Sequence, residues 1–559
     1  MSSAALLAHL NLIVGTNHLL STRGVRDLVE HIRRSSYDLG EAYGKVRHWW
    51  HDANLATTGR KHYATLQEDE AAYNSFRRSA TCDFSLQTSL LPPRRVWDLH
   101  SNRVLPFTVL VTLSSQAEVS LPDNLWTVSH SWVAEEEREE VWTPINRRRW
   151  PVSIPRSTTL EHVRIELLNM GAEYVWLDVL CLRQQGRDRD EARRAEEWKT
   201  DVPTIGHIYQ GQPSRRPCIT YFNGLGLPFD TSSSTLASDR HWFNRVWTLQ
   251  ESLRSWLPGG LTGDPIPNGA AFFGRVRTLL ELTDTGGLAE ELMRRRCTKE
   301  VDRISGLAYI LGCETLPLYD ESFHIEHAWE LLVKHMWGDW RADLACCFAA
   351  DTLFALFPSW QAYALGRRAL HLSVDAPLRL DDGAVLHTID VGRYSHTAQV
   401  FGPCKITRPK STLVGNDLLD GQPDLHLHFD SWVSSGKRGQ TLRFIAKSIH
   451  GVLLESAEYH IVQVNCSRGD QCWVVVEVVA EWDYYWDREV VGEIEAVKWG
   501  VIQVAEKDDG RLKNLIGNKE RNVVYIAGED ALRRTRHEKR YLWAFQQMID
   551  SGRTRFLAS

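Results

Sequence analysis

Between residues 120 and 260 the chain alternates strand-like and helix-like patterns, and this alternation constrains the fold more than any other feature. "LWTVSHSW" (Leu125–Trp132) reads as a strand that runs into a polar turn. "STTLEHVRIELLNMGA" then sets Leu160, Val163, Leu167 and Leu168 on one helical face. Thr158 and Glu161 fit a capping box at its start, and Gly171 suits its C-terminal cap. "YVWLDVLCL" (Tyr174–Leu182) is a nearly continuous apolar run, as a strand buried on both faces requires. "ARRAEEWKTDVPTIGHIY" is helical with a break expected at Pro203. "RPCITYFNGLG" reads as a third strand entering a glycine turn, and "HWFNRVWTLQES" (His241–Ser252) as a third helix. Strand–helix repetition of this kind predicts an α/β domain with a parallel sheet covered on both faces. Sites in such sheets form beyond the carboxyl ends of the strands. Those ends carry Ser129, His130 and Ser131 after the first strand, and Asp178 and Cys181 in and after the second.

The rest of the chain divides around this segment. Residues 1–95 show helical spacing, as in "GVRDLVEHIRRSSYDLGEAYGKVRHWW", and read as a peripheral helical region. The prolines of "LLPPRRVWDLHSNRVLP" (Leu90–Pro106) mark a boundary, so the α/β domain is placed at 96–265. Residues 266–358 return to helical periodicity ("GRVRTLLELT", "VDRISGLAYILG", "IEHAWELLVKHMWGDW") and read as a helical extension of that domain. Residues 359–559 form a β-rich domain in which "EYHIVQVN", "CWVVVEVV", "AVKWGVIQV" and "NVVYIAG" are strands. "EDALRRTRHEKRYLWAFQQMID" is the final helix of that domain. "EEEREE" (Glu135–Glu140) reads as a solvated loop.

Composition removes several function classes. A hydrophobic share of 43% and a charged share of 24% are those of a soluble globular chain. A net charge of -6 argues against a nucleic-acid binder that works by bulk positive charge. The N-terminal "MSSAALLAHLNLIVGT" lacks a basic start and is interrupted by His9 and Asn11, so it reads as a helix or buried segment and not a signal peptide. No apolar run is long enough for a membrane span. The 10 cysteines form no C-x-x-C pair, which argues against a zinc ribbon and suits a reducing, cytoplasmic interior. His324 with His327, and His426 with His428 and Asp430, lack full ligand sets, so no metal is expected. No Walker motif, G-x-S-x-G elbow or H-E-x-x-H motif is present. The glycines of "NGLG" (Asn223–Gly226) suit a turn, although a strand-end position also fits a phosphate contact.

Four blocks occur in order: "WTVSHSW", "GAEYVWLDVLCLRQ", "RHWFNRVWTLQE" and "VDRISGLAYILG". Together they resemble the fungal heterokaryon-incompatibility (HET) domain family. The first is similar to its serine-rich "LSYxWG" block, here with His130 and without the glycine. The second resembles "WxDxxCIxQ", with Trp176, Asp178, Cys181 and Gln184 in place. The third resembles "RxWTxQE", with Arg245, Trp247, Thr248, Gln250 and Glu251 all present. The resemblance covers residues from roughly 120 to 315. It implies an intracellular module of fungal non-self recognition that triggers programmed cell death, self-associating through the HET domain and answering to an unidentified incompatibility partner. HET domains are considered distant relatives of Toll/interleukin-receptor (TIR) domains, so the resemblance also implies a flavodoxin-like architecture. Many TIR domains cleave NAD at the nicotinamide–ribose bond, and the "WTxQE" block resembles the plant TIR "WCLxEL" block with its catalytic glutamate. By that likeness Glu251 is the candidate catalytic carboxylate, no cofactor is required, and NAD is a candidate substrate. Ser129, His130, Ser131, Asp178 and Trp247 are then candidate ligand-binding residues.

A continuous helix over His241–Ser252 would put Trp242, Val246, Leu249, Leu253 and Trp256 within about 80° of arc, as a core stripe. Glu251 would face the other way, with Trp247 four residues before it as a surface neighbour. Trp247 then either flanks a ligand ring or is buried by a neighbouring element. Asp178 either orients a partner or caps the segment after it, and Ser129 and Ser131 either contact a ligand or form a turn. Cys181 reads as a small buried hydrophobe and Asp302 as a helix-start carboxylate. A non-catalytic self-association scaffold is the competing reading. It requires Glu251 exposed or salt-bridged and Trp247 buried.

Overall fold

The structure is a computed structural model. It describes residues 1–82, 85–111, 120–210, 216–251, 256–263, 269–280, 291–313, 315–336, 344, 360, 393–398, 400–407, 425–432, 438–451, 457–463, 472–486, 489–516 and 522–527. The expected final helix over 529–550 lies outside them. The chain divides into two compact units, residues 1–282 with 291–324, and 283–290 with 325–559.

The first unit opens with four helices, α1 (Ser3–Val14), α2 (Arg23–Arg34), α3 (Leu39–Val46) and α4 (Leu55–Ser79). Apolar residues at helical spacing on α1 and α2 meet in one cluster, with Leu10, Leu28, Val29 and Trp50 fully enclosed. Strands follow: β1 (Thr81–Cys82), β2 (Ser85–Leu86), β3 (Arg95–Asp98), β4 (Arg103–Pro106), β5 (Leu125–His130), β6 (Arg138–Val141) and β7 (Val152–Pro155). Then come α5 (Leu160–Asn169), β8 (Tyr174–Leu177), α6 (Asp178–Cys181), α7 (Asp188–Asp201), α8 (Ile205–Gln210) and β9 (Cys218–Tyr221). The unit ends with α9 (Ser233–Leu236), β10 (Trp256–Pro258), α10 (Gly269–Leu280), a helix over Val301–Ala308 and β11 (Leu316–Pro317).

Six of these strands form the central sheet, in the order β10-β9-β5-β8-β3-β4. Neighbours from β10 to β8 run parallel, and β3 and β4 add an antiparallel edge. In chain order the parallel strands therefore lie second, first, third, fourth. Register assigns the faces, because residues paired across strands share one face. Thr127, Trp176 and Cys218 lie on one face, and Val128, Leu177 and Ile219 on the other. α8 covers the first face: the Tyr209 ring stands edge-on to Trp176 at 5.5 Å. α5 covers the second: the Tyr221 hydroxyl donates to Glu166 at 2.8 Å. With helices on both faces, β8 and β9 are buried throughout, which is why their sequences are almost wholly apolar.

Local expectations meet local corrections. The cap of α5 is Thr159, whose hydroxyl accepts from the His162 amide, one residue later than the capping box places it. Thr158 is instead buried beside Gly226, which has φ +72° and no room for a side chain against it. The apolar run after Tyr174 is strand only to Leu177. At Asp178 the chain turns into α6, burying Cys181 in a helical turn. The helical segment after Asp188 does break at Pro203, between α7 and α8. The acidic run of Glu135–Glu140 forms a turn and most of β6, paired with β7, and keeps its carboxylates at the surface or half-buried.

The N-terminal helices are not peripheral. Arg77 of α4 donates to Asp201 of α7 and to the Pro92 carbonyl at 2.6 Å. Arg94 joins the same carboxylate at 3.1 Å. One turn earlier on α7, Glu197 accepts from Arg95 and Arg183. Arg47, following α3, reaches Asp98 at 3.3 Å, and His48 pairs with Tyr174 of β8. Buried ion pairs of this kind specify which elements meet, and breaking one strands a charge out of water.

Among the described residues the second unit contains a helix over Ile325–His335 and eight strands, β12 (Arg393–Ala398), β13 (Val400–Thr407), β14 (Leu425–Trp432), β15 (Arg438–Gly451), β16 (Glu458–Gln463), β17 (Cys472–Trp486), β18 (Glu489–Val504) and β19 (Asn522–Ala527). β18 pairs with both β15 and β17, so β18-β15-β14-β13-β16-β17 return on themselves as a closed antiparallel barrel. Closure pairs both edges of each of these six strands, while β19 adds to β18 in parallel and β12 to β19, outside the ring. Leu427, Phe444, Ile461, Trp473 and Ile502 fill the interior, with Leu512 from a helix over Glu506–Ile516. The Trp473 indole N–H fixes that helix through Asp509 at 3.2 Å. His426 and His428 are held by Arg443 and by Thr407 respectively.

Replacing Asp201 by Ala leaves the Arg77 and Arg94 guanidiniums facing one another without their shared carboxylate. The expected loss is about 3–5 kcal/mol. Arg193→Ala, which removes an exposed partner of Glu197 on the same helix, is expected to shift stability by less than about 1 kcal/mol. Denaturant melts of the two variants check this, and equal shifts would contradict it.

Candidate active site

The carboxyl ends of β5 and β8 deliver Ser129, His130, Ser131 and Asp178, and a return segment brings Glu251 to them. That segment is not the expected helix. It is a 3₁₀ turn over Trp242–Asn244, an extended residue at Arg245, and a second 3₁₀ turn over Trp247–Leu249. Tertiary contacts account for the break. Asn244 and Val246 pair their backbones with Arg296, at 2.6 and 3.0 Å, in a parallel bridge. The Thr248 hydroxyl donates back to the Trp242 and Arg245 carbonyls, competing with helical bonds. The buried Arg295 clamps the Arg245 carbonyl and the Thr248 hydroxyl from below. Weak helix formers in "FNRVWT" yield to these bonds.

The helical-arc reading of this segment is therefore corrected. Trp242 is not core packing alone. Its indole N–H donates to the Ser129 Oγ at 2.6 Å. An indole can only donate, so the Ser129 oxygen accepts there and turns its own proton to the Glu251 Oε2. Trp256 lies in β10 and belongs to a different element. Trp247 was expected beside Glu251 on the premise of a continuous helix. Its indole instead bonds Asp302, and its ring stands 6.3 Å from Tyr319.

Electrostatics separate the carboxyl groups. Burial pushes Glu251 up to about 7, and the negative charge of Asp178 adds to this. The Ser129 hydrogen bond and the positive charges of His130 and Arg245 oppose it but do not cancel it. Asp178 behaves in the opposite way. Burial would raise it, but His130, the Val179 N–H and the Trp132 indole together hold it below the usual carboxylate range. His130 Nε2 meets Asp178 Oδ1 at 2.8 Å. Burial would lower its imidazole, yet this pairing outweighs burial and raises it. The two thus form an ion pair, with the Trp132 ring stacked on His130 at 5.9 Å and the Arg138 guanidinium over Trp132. The site therefore offers a carboxyl poised near neutrality beside a carboxylate held ionised, a division that enzymes use to assign acid and base roles.

Of the residues singled out in the sequence, Ser129, His130, Asp178 and Glu251 come together. Ser131 is buried next to His130, with its hydroxyl unpartnered. Trp247 joins Asp302 and Tyr319. Cys181 is enclosed, its thiol pushed up to about 12 by burial, as a small hydrophobe would be. Asp302 opens its helix but does more than that. Burial pushes it up to about 6, and it accepts from Tyr319 at 2.9 Å. The sequence places Trp242 only on a core stripe and gives Arg245 and Gln250 no ligand role. Arg245 and Gln250 sit inside the quoted "RxWTxQE" block, and only their position relative to Glu251 gives them meaning. Among the described residues no group of three or more His, Cys, Asp or Glu side chains is arranged to hold a metal, and no helix is long and apolar enough to cross a membrane. Compared with known proteins, the chain matches no family model, no curated protein and no solved structure.

The Glu251 shift has a stability consequence of definite sign. From about 4.5 to 7 the folded state keeps a proton that the unfolded chain has lost. Its contribution is full below the unfolded value and fades as pH rises through 7. Glu251→Gln keeps an acceptor for Ser129 and removes the titration. The variant is expected to match wild type at acid pH and to exceed it at pH 8 by on the order of 2 kcal/mol. Thermal melts of both proteins across this range check it, and parallel curves would contradict it.

Proposed function

We propose that this chain is a HET-domain protein of fungal non-self recognition, acting in the cytoplasm as a death effector, and that its site is a TIR-like NAD hydrolase. The observation that carries this reading is the Glu251 carboxyl joined to Ser129 at the end of the first parallel strand. Strand order supports it. Second, first, third, fourth is the order of flavodoxin-like sheets, whose ligands bind where the winding reverses, beside the first strand. Ser129 and His130 stand at that end. The ordered sequence blocks supply the family, and Glu251 occupies the glutamate position of the TIR block they resemble.

The chemistry follows from the charges. Breaking the nicotinamide–ribose bond sends its electron pair to the pyridinium nitrogen, and nicotinamide leaves as a neutral molecule. The ribose carbon passes through an oxocarbenium-like state. Glu251 as carboxylate stabilises that positive charge and takes the proton of the water that adds to the carbon. The proton then passes to solvent. Trp242 and Ser129 fix the carboxyl in place, and the His130–Asp178 pair keeps a fixed positive and negative charge at the strand ends. A carboxyl titrating near 7 is half ionised in the cytoplasmic range, so the rate should rise with pH through that value. The scaffold reading calls for a Glu251 that is exposed or salt-bridged and a Trp247 that is buried. The carboxyl is instead half-buried and bonded to a serine hydroxyl, and Trp247 is half-buried. Self-association through this domain and an incompatibility partner remain part of the proposal, since TIR-like sites act in assemblies.

Purified protein incubated with NAD over a range of protein concentrations is expected to release nicotinamide. Glu251→Ala should lower the rate by about 100-fold or more. The wild-type rate should climb between pH 6 and 8, with a midpoint near 7. No release at any concentration from folded protein would count against the enzyme and for the scaffold.

A further inference from the structure

Buried arginines in the first unit almost all have carboxylate partners. Arg77 and Arg94 share Asp201, Arg95 and Arg183 share Glu197, Arg295 pairs with Glu291 and Arg303 with Glu300. Arg245 departs from this rule. Its guanidinium is half-buried, is acted on by the charges of Asp302 and Glu251, and makes no ion pair or hydrogen bond among the described residues. Those two carboxyls are already engaged, Glu251 by Ser129 and Asp302 by Tyr319 and Trp247. The largest charge effect on Arg245 comes from another cation, the exposed Arg240, whose guanidinium also has no partner among the described residues. Like charges repel, and a half-buried guanidinium has given up hydration that an anion would restore. The backbone beneath Arg245 is nonetheless rigid, held by Arg295 at 2.9 Å and by the bridge to Arg296. A fixed cation with no counter-charge among the described residues is arranged for a ligand, and the planar guanidinium fork suits phosphate oxygens.

Building on the NAD reading, we infer that Arg245, with Arg240 beside it, is the anion anchor of this site and holds the diphosphate of a dinucleotide. Glu251 then lies on the ribose side of that anchor. Arg245 is a positioning residue: it fixes the substrate and leaves bond breaking to the carboxylate. Gln250, next to Glu251 in the chain, is fully buried with both side-chain amide atoms unpartnered, a polar group whose hydrogen bonds are not yet made.

The test is calorimetric binding of ADP to the full chain, for wild type, Arg245→Met, Arg245→Lys and Glu251→Gln. Wild type and Glu251→Gln are expected to bind ADP. Arg245→Met should lose 10-fold or more in affinity, with Arg245→Lys between them. The melting temperature without ligand should hold or rise in Arg245→Met, because the wild-type guanidinium has no partner among the described residues to lose. A purely structural role would instead lower it. Inorganic pyrophosphate should displace ADP, and adenosine should not. The inference is overturned if wild type does not bind ADP, if Arg245→Met binds it equally well, or if adenosine displaces it and pyrophosphate does not. Arg245-dependent ADP binding without nicotinamide release would keep the anchor and remove the hydrolase. Nicotinamide release with an unchanged KM in Arg245→Met would do the reverse.

Discussion

The Ser129 hydroxyl is the joint on which the site depends. It accepts from the Trp242 indole and donates to Glu251, and so ties two separated parts of the chain together. The first parallel strand supplies the serine, the return segment supplies the tryptophan and the carboxyl, and the packing around them keeps water scarce. Scarcity of water is what raises Glu251, and the serine bond keeps the rise within the physiological range. Without the indole, the hydroxyl would be free to turn elsewhere. Without the serine, the carboxyl would be a buried acid with no fixed direction.

The return segment also explains how much of this was legible. Strand–helix alternation between residues 120 and 220 follows from apolar periodicity and turn residues, which are local signals. Hence β5, α5, β8, the break at Pro203 and β9 fall where the pattern puts them, within a residue or a few. His241–Ser252 has equally good helical periodicity, yet it folds as two 3₁₀ turns. Its partner is Arg296, some fifty residues downstream, and no local pattern records that bridge. The error carried through to the side chains. Trp242 is buried against Phe222 and Phe243 as a core residue, but it also bonds Ser129, which the helical stripe does not indicate, and Trp247 meets Tyr319 and Asp302 where that helix put it beside Glu251. Glu251, Ser129, His130 and Asp178 were identified from block resemblance and from strand-end position, neither of which depends on that helix. Barrel closure in the second unit was equally hidden, because β-branched runs identify strands but not which strand pairs with which.

Charge placement in the first unit follows two different rules. Around α7, every buried guanidinium meets a carboxylate, and the network holds the N-terminal helices to the sheet. Around Glu251 the pairing is withheld. Glu251 and Asp302 are both raised by burial, Ser131 and Gln250 keep unpartnered polar atoms, and Arg245 has no counter-ion among the described residues. Unmet polar groups cost stability. Unpartnered polar atoms occur elsewhere in the unit too, at Asn146 and His207 for example; what marks this region is a half-buried guanidinium with no carboxylate partner among the described residues, close in sequence to a carboxyl raised by burial.

The most direct measurement is the ionisation of Glu251 itself. An infrared difference titration of wild type against Glu251→Gln isolates the protonated-carboxyl band of this one residue. The account predicts that the band disappears with a midpoint near 7, and that Trp242→Phe, which releases the serine, moves that midpoint. A midpoint at the ordinary glutamate value of 4.5, insensitive to Trp242, would mean that the carboxyl is solvated and unpoised, and would contradict the site as described.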